Sequence, residues 1–98
     1  TEVSDPLAGL AAAALVPVLH LCLHAREIDS RWRMGQVLCR LLMRLAAAPH
    51  LLAPHLPALA QWLPTAWIAC SGEQLLHEAT LDAAATMIHA INHVEHIL

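Results

Sequence analysis

The residues with the clearest capacity for chemistry are three histidines near the end of the chain. His89, His93 and His96 are spaced four and three residues apart, which places them on one face of a helix. Imidazoles in this arrangement are typical zinc ligands, so a small helical bundle that binds a metal or cofactor is one hypothesis. A helical projection puts all three opposite the apolar stripe of the same helix. We therefore favour a solvent-facing surface that becomes positive as pH falls through about 6.5.

A second candidate set combines arginines with tryptophans. Arg33, Arg40 and Arg44 recur at helical spacing on a polar face. Guanidinium groups pair well with carboxylates, so these side chains could orient a protein partner, although a solvated rim is the simpler interpretation. Trp62 and Trp67 are interpreted as core residues or interface anchors. These five residues are the predicted partner-binding set.

Motifs of the common enzyme classes are missing from the sequence. It has no hydrolase elbow, phosphate-binding loop, dinucleotide-binding glycine pattern or zincin motif, and its three glycines are isolated. Cys22 and Cys39 fall on apolar helix faces, where inert packing is the usual role. We therefore predict that the protein is not an enzyme, and that it uses no cofactor and no small-molecule substrate.

The composition favours helices and excludes two classes of function. Leu and Ala dominate the 98 residues, whereas Phe, Tyr and Lys do not occur. A chain that is 58% hydrophobic and only 13% charged is too apolar to be disordered. The formal net charge of -3 gives no basic surface for nucleic acid.

The same composition predicts that part of the surface is covered by protein. A domain of this size has little interior, so 58% hydrophobic residues exceed what it can bury alone. The chain begins with Thr, without a signal-peptide pattern, and we interpret it as a piece of a longer protein. Three cysteines without a C-x-x-C pair predict a reducing intracellular compartment, the nucleus or the cytoplasm.

A membrane-embedded segment is a further alternative. Residues 7–25 and 45–72 carry no charged side chain and are long enough to cross a bilayer. The second run contains four prolines, which would leave backbone groups unsatisfied in lipid. We therefore prefer buried helices to membrane spans.

Apolar periodicity predicts four helices in a single domain of residues 1–98, with Asp29 or Ser30 capping the second helix. The helices cover about residues 6–26, 31–48, 57–69 and 72–97, with a turn or short helix at 50–57. The predicted buried stripes are Ala11, Leu15, Val18, Leu19 and Cys22 in the first helix; Val37, Leu38, Leu41, Leu42 and Leu45 in the second; and Leu76, Leu81, Ala84, Met87, Ile88, Ile91, Val94 and Leu98 in the last.

A weak internal repeat divides these helices into two pairs. Leu15, Pro17 and Leu19 match Leu52, Pro54 and Leu56 at an offset of thirty-seven residues, and a more regular amphipathic helix follows each segment. In the first pair, Asp29 followed by Arg31 and Arg33 lies in the connection and the start of the second helix. The second pair has Ser71-Gly72-Glu73 at that place and lacks the Asp/Arg pair.

This pattern resembles the HEAT and armadillo class of helical repeat. The resemblance implies two stacked hairpins, about residues 6–48 and 50–97, that form a short solenoid; a closed four-helix bundle is the alternative. A helix pair of such a solenoid needs neighbours to complete its core. We therefore predict a protein–protein interaction or scaffold module, which binds a second copy or a helix of another protein through an apolar helical surface.

Overall fold

The computed structural model describes residues 6–70 and 72–97, with side chains up to residue 92. Four long helices, α1 (Pro6–His24), α2 (Ile28–Ala46), α4 (Leu56–Ala69) and α5 (Gln74–Ile97), account for most of this part of the chain. The short helix α3 (Pro49–Leu52) and a 3-10 turn (Ala53–His55) lie between α2 and α4. Within the described residues the protein is therefore all-α, as predicted.

Two helix starts differ from their predicted positions. The start of α2 lies at Ile28, because the extended backbone of Glu27 serves as the N-cap, so the prediction that Asp29 or Ser30 caps α2 is wrong. Asp29 lies in the first turn, where its carboxylate interacts favourably with the helix dipole. Gly72 was predicted to begin the last helix, but its φ of 86° belongs to the left-handed region and keeps it in the connection.

The four long helices are arranged as a ring of neighbours. α1 packs on α2, α2 on α5, α5 on α4, and α4 on α1. The two interfaces of α2 are the most extensive, so α1, α2 and α5 form a row with α2 in the middle. Two stacked hairpins and a closed bundle both produce this ring, and the molecule measures 48 × 23 × 17 Å.

A single hydrophobic core contains side chains from both predicted repeat units. All five residues of the predicted α1 stripe are buried. In α2, Leu38, Leu42 and Leu45 are completely buried, and the other two stripe residues are half-buried. Burying one leucine side chain contributes about 1.5–3 kcal/mol, so the α2 leucines provide a large share of the stability.

The buried stripe of α5 is rotated from its predicted position. The buried residues are Leu76, Thr80, Ala83, Met87 and Ala90. Leu81 and Ile88, which were assigned to the stripe, are 55% and 60% exposed, so that assignment is wrong. The predicted stripe is centred on Ala84. At 100° per residue, the centre of the observed buried face lies about 80° away from that residue. The predicted residues Val94 and Leu98 lie outside the residues whose side chains are described.

Small residues explain this rotation. Gly35 of α2 faces Ala79 of α5 so closely that a Cβ added at Gly35 would lie 3.1 Å from the Ala79 Cβ. Ala83, which is completely buried, lies one turn further along α5. Small side chains let two helices approach closely, so α5 packs on α2 through Ala79 while Leu81 and Ile88 remain outside.

Candidate functional site

The predicted arginines lie on the outward-facing side of α2, in the middle of the three-helix row. Arg33, Arg40 and Arg44 are all exposed, and helical spacing places them on one face. Met43 lies on the same side and is 55% exposed. We call the surface formed by this side of α2 and the adjoining sides of α1 and α5 the outer face.

An open groove runs between α1 and α2 on the outer face. It has a volume of about 330 Å³, and Leu7, Leu10 and Ala14 of α1 form one side of it. Arg40 and Arg44 line the opposite side. We call this cavity the α1–α2 groove. It brings two of the three predicted arginines together with exposed leucines, whereas Arg33 does not line it.

The groove on the other side of α2 has a different chemical character. It has a volume of about 600 Å³ and is lined by Trp32 and Arg40 of α2 and by Glu78, Asp82 and Thr86 of α5. The outer face therefore changes from apolar at α1, through basic at α2, to acidic at α5.

The two predicted tryptophans have different environments. Trp62 is buried in the core, and its indole N–H donates a hydrogen bond of 3.0 Å to the Leu19 carbonyl oxygen in α1. Trp67 is 45% exposed, and its ring lies against the His77 ring with 4.4 Å between centroids. Only Trp67 therefore offers substantial surface to a partner.

Arg31 has a structural role that the sequence reasoning did not assign. Its Nε donates to the Cys22 carbonyl oxygen at 3.2 Å, and its terminal NH2 group donates to the Ala69 carbonyl oxygen at 3.3 Å. These carbonyls lie in the last turns of α1 and α4, where acceptors lack intrahelical donors and the helix dipole favours a cation. The sequence feature that indicates this role is the Asp29–Arg31 pair of the repeat pattern.

A second exposed apolar surface lies on the side of α5 that faces away from α2. Leu81 and Ile88 project there, with the half-buried Ala84 between them. We call these three residues the α5 edge. The spacing of three and four residues is that of a helix–helix contact stripe, but Leu81 and Ile88 are 55% and 60% exposed.

The histidine hypothesis is only partly covered by the structure. His89 is exposed, as the projection predicted, whereas the side chains of His93 and His96 lie outside the described residues. Among the side chains that are described, no group of three His, Cys, Asp or Glu residues is placed to hold a metal ion. The metal site therefore stays a prediction.

The buried cysteines surround a cavity that is too small for a substrate. Cys22, Cys70, Arg31 and Thr80 are among its lining residues, and its volume of about 20 Å³ has room for one water molecule. Burial, with the nearby Cys39 thiol, raises the pKa of the Cys22 thiol from 9.0 to about 12. Cys22 is therefore a protonated, weakly nucleophilic thiol at neutral pH.

Within residues 6–70 and 72–97, one helix is long and apolar enough to cross a membrane. It is Pro6–His24, whose mean hydropathy is 2.0, and 28% of it is buried inside the protein. A core helix with one exposed side passes the same criterion, and the buried face of α1 packs on α2. Length and hydropathy alone therefore do not distinguish a membrane span from a core helix.

Comparisons with known proteins found no match: no family model fits the chain, and neither the curated proteins nor the solved structures contain a significant relative.

Proposed function

We propose that the protein is an interaction module, or part of a scaffold, whose exposed helical surfaces are covered by protein. The observation that carries this proposal is the amount of apolar surface left exposed. Among the side chains that are described, eleven large hydrophobic ones are more than 40% exposed, and they include Leu10, Met43, Leu81 and Ile88. Single exposed hydrophobic residues are ordinary, but stripes at helical spacing are typical of interfaces.

The proposal includes the arrangement of the helices. Two HEAT-like hairpins would expose an apolar edge wherever a neighbouring hairpin is missing, and the α5 edge has the residues and spacing of such a surface. In the isolated chain a second copy is the available cover. The unpaired state of Cys22, Cys39 and Cys70 supports a reducing intracellular compartment, the nucleus or the cytoplasm, for this role.

Light scattering over a range of concentrations tests the proposal. We expect the isolated chain to exceed its monomer mass of 10.6 kDa, because association removes apolar surface from water. The variant Leu81→Gln/Ile88→Gln should shift the mass towards the monomer. Gln is a good helix former, so the substitution should leave α5 intact.

Val16→Gln provides a matched control. Val16 is 56% exposed, but it projects from α1 away from the α1–α2 groove and from α5. The control should keep the wild-type mass. A wild-type chain that remains a monomer at every concentration, with no change in either variant, would contradict the proposal.

A further inference from the structure

We infer that the α1–α2 groove binds an amphipathic helix that carries carboxylates along one flank. This inference rests on the proposed function and adds to it the chemistry of the partner and the place where it binds.

The apolar side of the groove would contact the apolar face of the bound helix. Leu7 and Leu10 are 53% and 66% exposed, and both line the groove with Ala14. Residues at spacings of three and four along α1 form one continuous side, which extends over about 10 Å from Leu7 to Ala14. A partner helix would fill this side with large apolar residues one turn apart.

The charged side chains of the groove lie on its α2 side. Residues 7–25 contain no Asp, Glu or Arg, so α1 contributes no charged side chain beside the groove. Arg40 and Arg44 line the α2 side, one turn apart. A complementary helix would therefore carry Asp or Glu opposite Arg40, on the flank that faces α2.

The same surface fits an anionic membrane less well. The outer face includes the carboxylates of Glu78 and Asp82 beyond Arg40, and the formal net charge of the chain is -3. Anionic lipid would repel these groups. The groove has an apolar side and a basic side, as a cleft that binds an amphipathic helix does. Binding to an evenly charged bilayer surface would not require this division.

Selection from a displayed library of helical peptides tests the inference directly. The library varies peptides of about 14 residues, or four turns, without a bias in charge. We expect the enriched peptides to carry apolar residues at spacings of three and four, with an acidic residue on one flank. Arg40→Glu should weaken binding of the enriched peptides by about tenfold or more.

Arg33→Glu is the matched control, because Arg33 lies on the same face of α2 but does not line the groove. It should change the affinity by less than about threefold, since only a distant charge is altered. Leu10→Gln should weaken binding and thereby place the peptide against α1.

Three results would overturn the inference. One is the absence of any enriched peptide. Another is enrichment of peptides that lack acidic residues or that bind Arg40→Glu as well as wild type; their binding at another surface would leave the interaction role intact. The third is Arg40-dependent binding to phosphatidylserine vesicles without peptide enrichment, which would make the groove a lipid-binding surface. The mass measurement on the α5 edge is independent of all three.

Discussion

The helices α2 and α5 lie side by side, yet their leucines lie in different environments. In α2, Leu38, Leu42 and Leu45 all point into the core and are completely buried. In α5, Leu76 and Met87 are buried beside Ala83 and Ala90, but Leu81 and Ile88 point outward. A leucine in α2 therefore stabilises the fold, whereas a leucine on the α5 edge is available to another molecule.

The contrast shows that close packing can override hydrophobicity in choosing the buried face of a helix. The approach of Gly35 to Ala79 draws α5 against α2 through small side chains. Close contact between helices gains many favourable dispersion interactions, which partly replace those that larger side chains would make. The consequence is an apolar edge that stays exposed within the part of the chain that the structure describes.

Truncating a leucine in each helix is the strongest test of this contrast. Leu42→Ala should lower the free energy of unfolding by about 2–5 kcal/mol, because it leaves a cavity in the core. Leu81→Ala should change it by less than about 0.5 kcal/mol at low protein concentration, because Leu81 is already in contact with solvent. Urea unfolding followed by circular dichroism measures both changes. Equal losses from the two variants would show that the assignment of faces is wrong.

Enlarging a glycine tests the close approach of the two helices. Gly35→Val should cost about 1–3 kcal/mol, because its side chain would collide with Ala79. Gly9→Ala is the control. Gly9 lies in α1 with open space where the new methyl group would lie, so the substitution should stabilise the protein by about 0.5–1 kcal/mol. Thermal unfolding distinguishes the signs, and tolerance of Gly35→Val would remove the packing argument.

Removing Arg31 tests the link between the ends of α1 and α4. Arg31→Met should cost about 1 kcal/mol, because the Cys22 and Ala69 carbonyls lose a charged donor. Arg33→Met should have almost no effect, since Arg33 is exposed and lies two residues further along α2. Denaturant unfolding of both variants decides the matter: similar midpoints would show that Arg31 contributes nothing specific.

Much of the fold could be predicted from periodicity. The four long helices were placed within a few residues, and the predicted stripes of α1 and α2 are buried or half-buried. The stripe of α5 was misplaced because that helix has apolar residues on two faces. Summed hydrophobicity cannot show which face meets a neighbour when the decisive contact involves Gly35 and Ala79.

The candidate site was predicted less completely. The exposure of the arginines follows from the spacing of the α2 leucines, so that part was accessible from the sequence. The different environments of Trp62 and Trp67 depend on which side of α4 faces α1, and the sequence does not specify that side. The α1–α2 groove likewise combines residues about thirty positions apart in the chain, and only the packing of the helices brings Leu10 and Arg40 to one cavity.

The concentration dependence of Tm tests most directly the claim that the exposed apolar surface exists to be covered by protein. If copies cover each other, the wild-type Tm should rise between about 1 µM and about 100 µM protein, because association stabilises only the folded state. The variant Leu81→Gln/Ile88→Gln should show a smaller rise. A wild-type Tm that is independent of concentration, and equal to that of the variant, would contradict the claim.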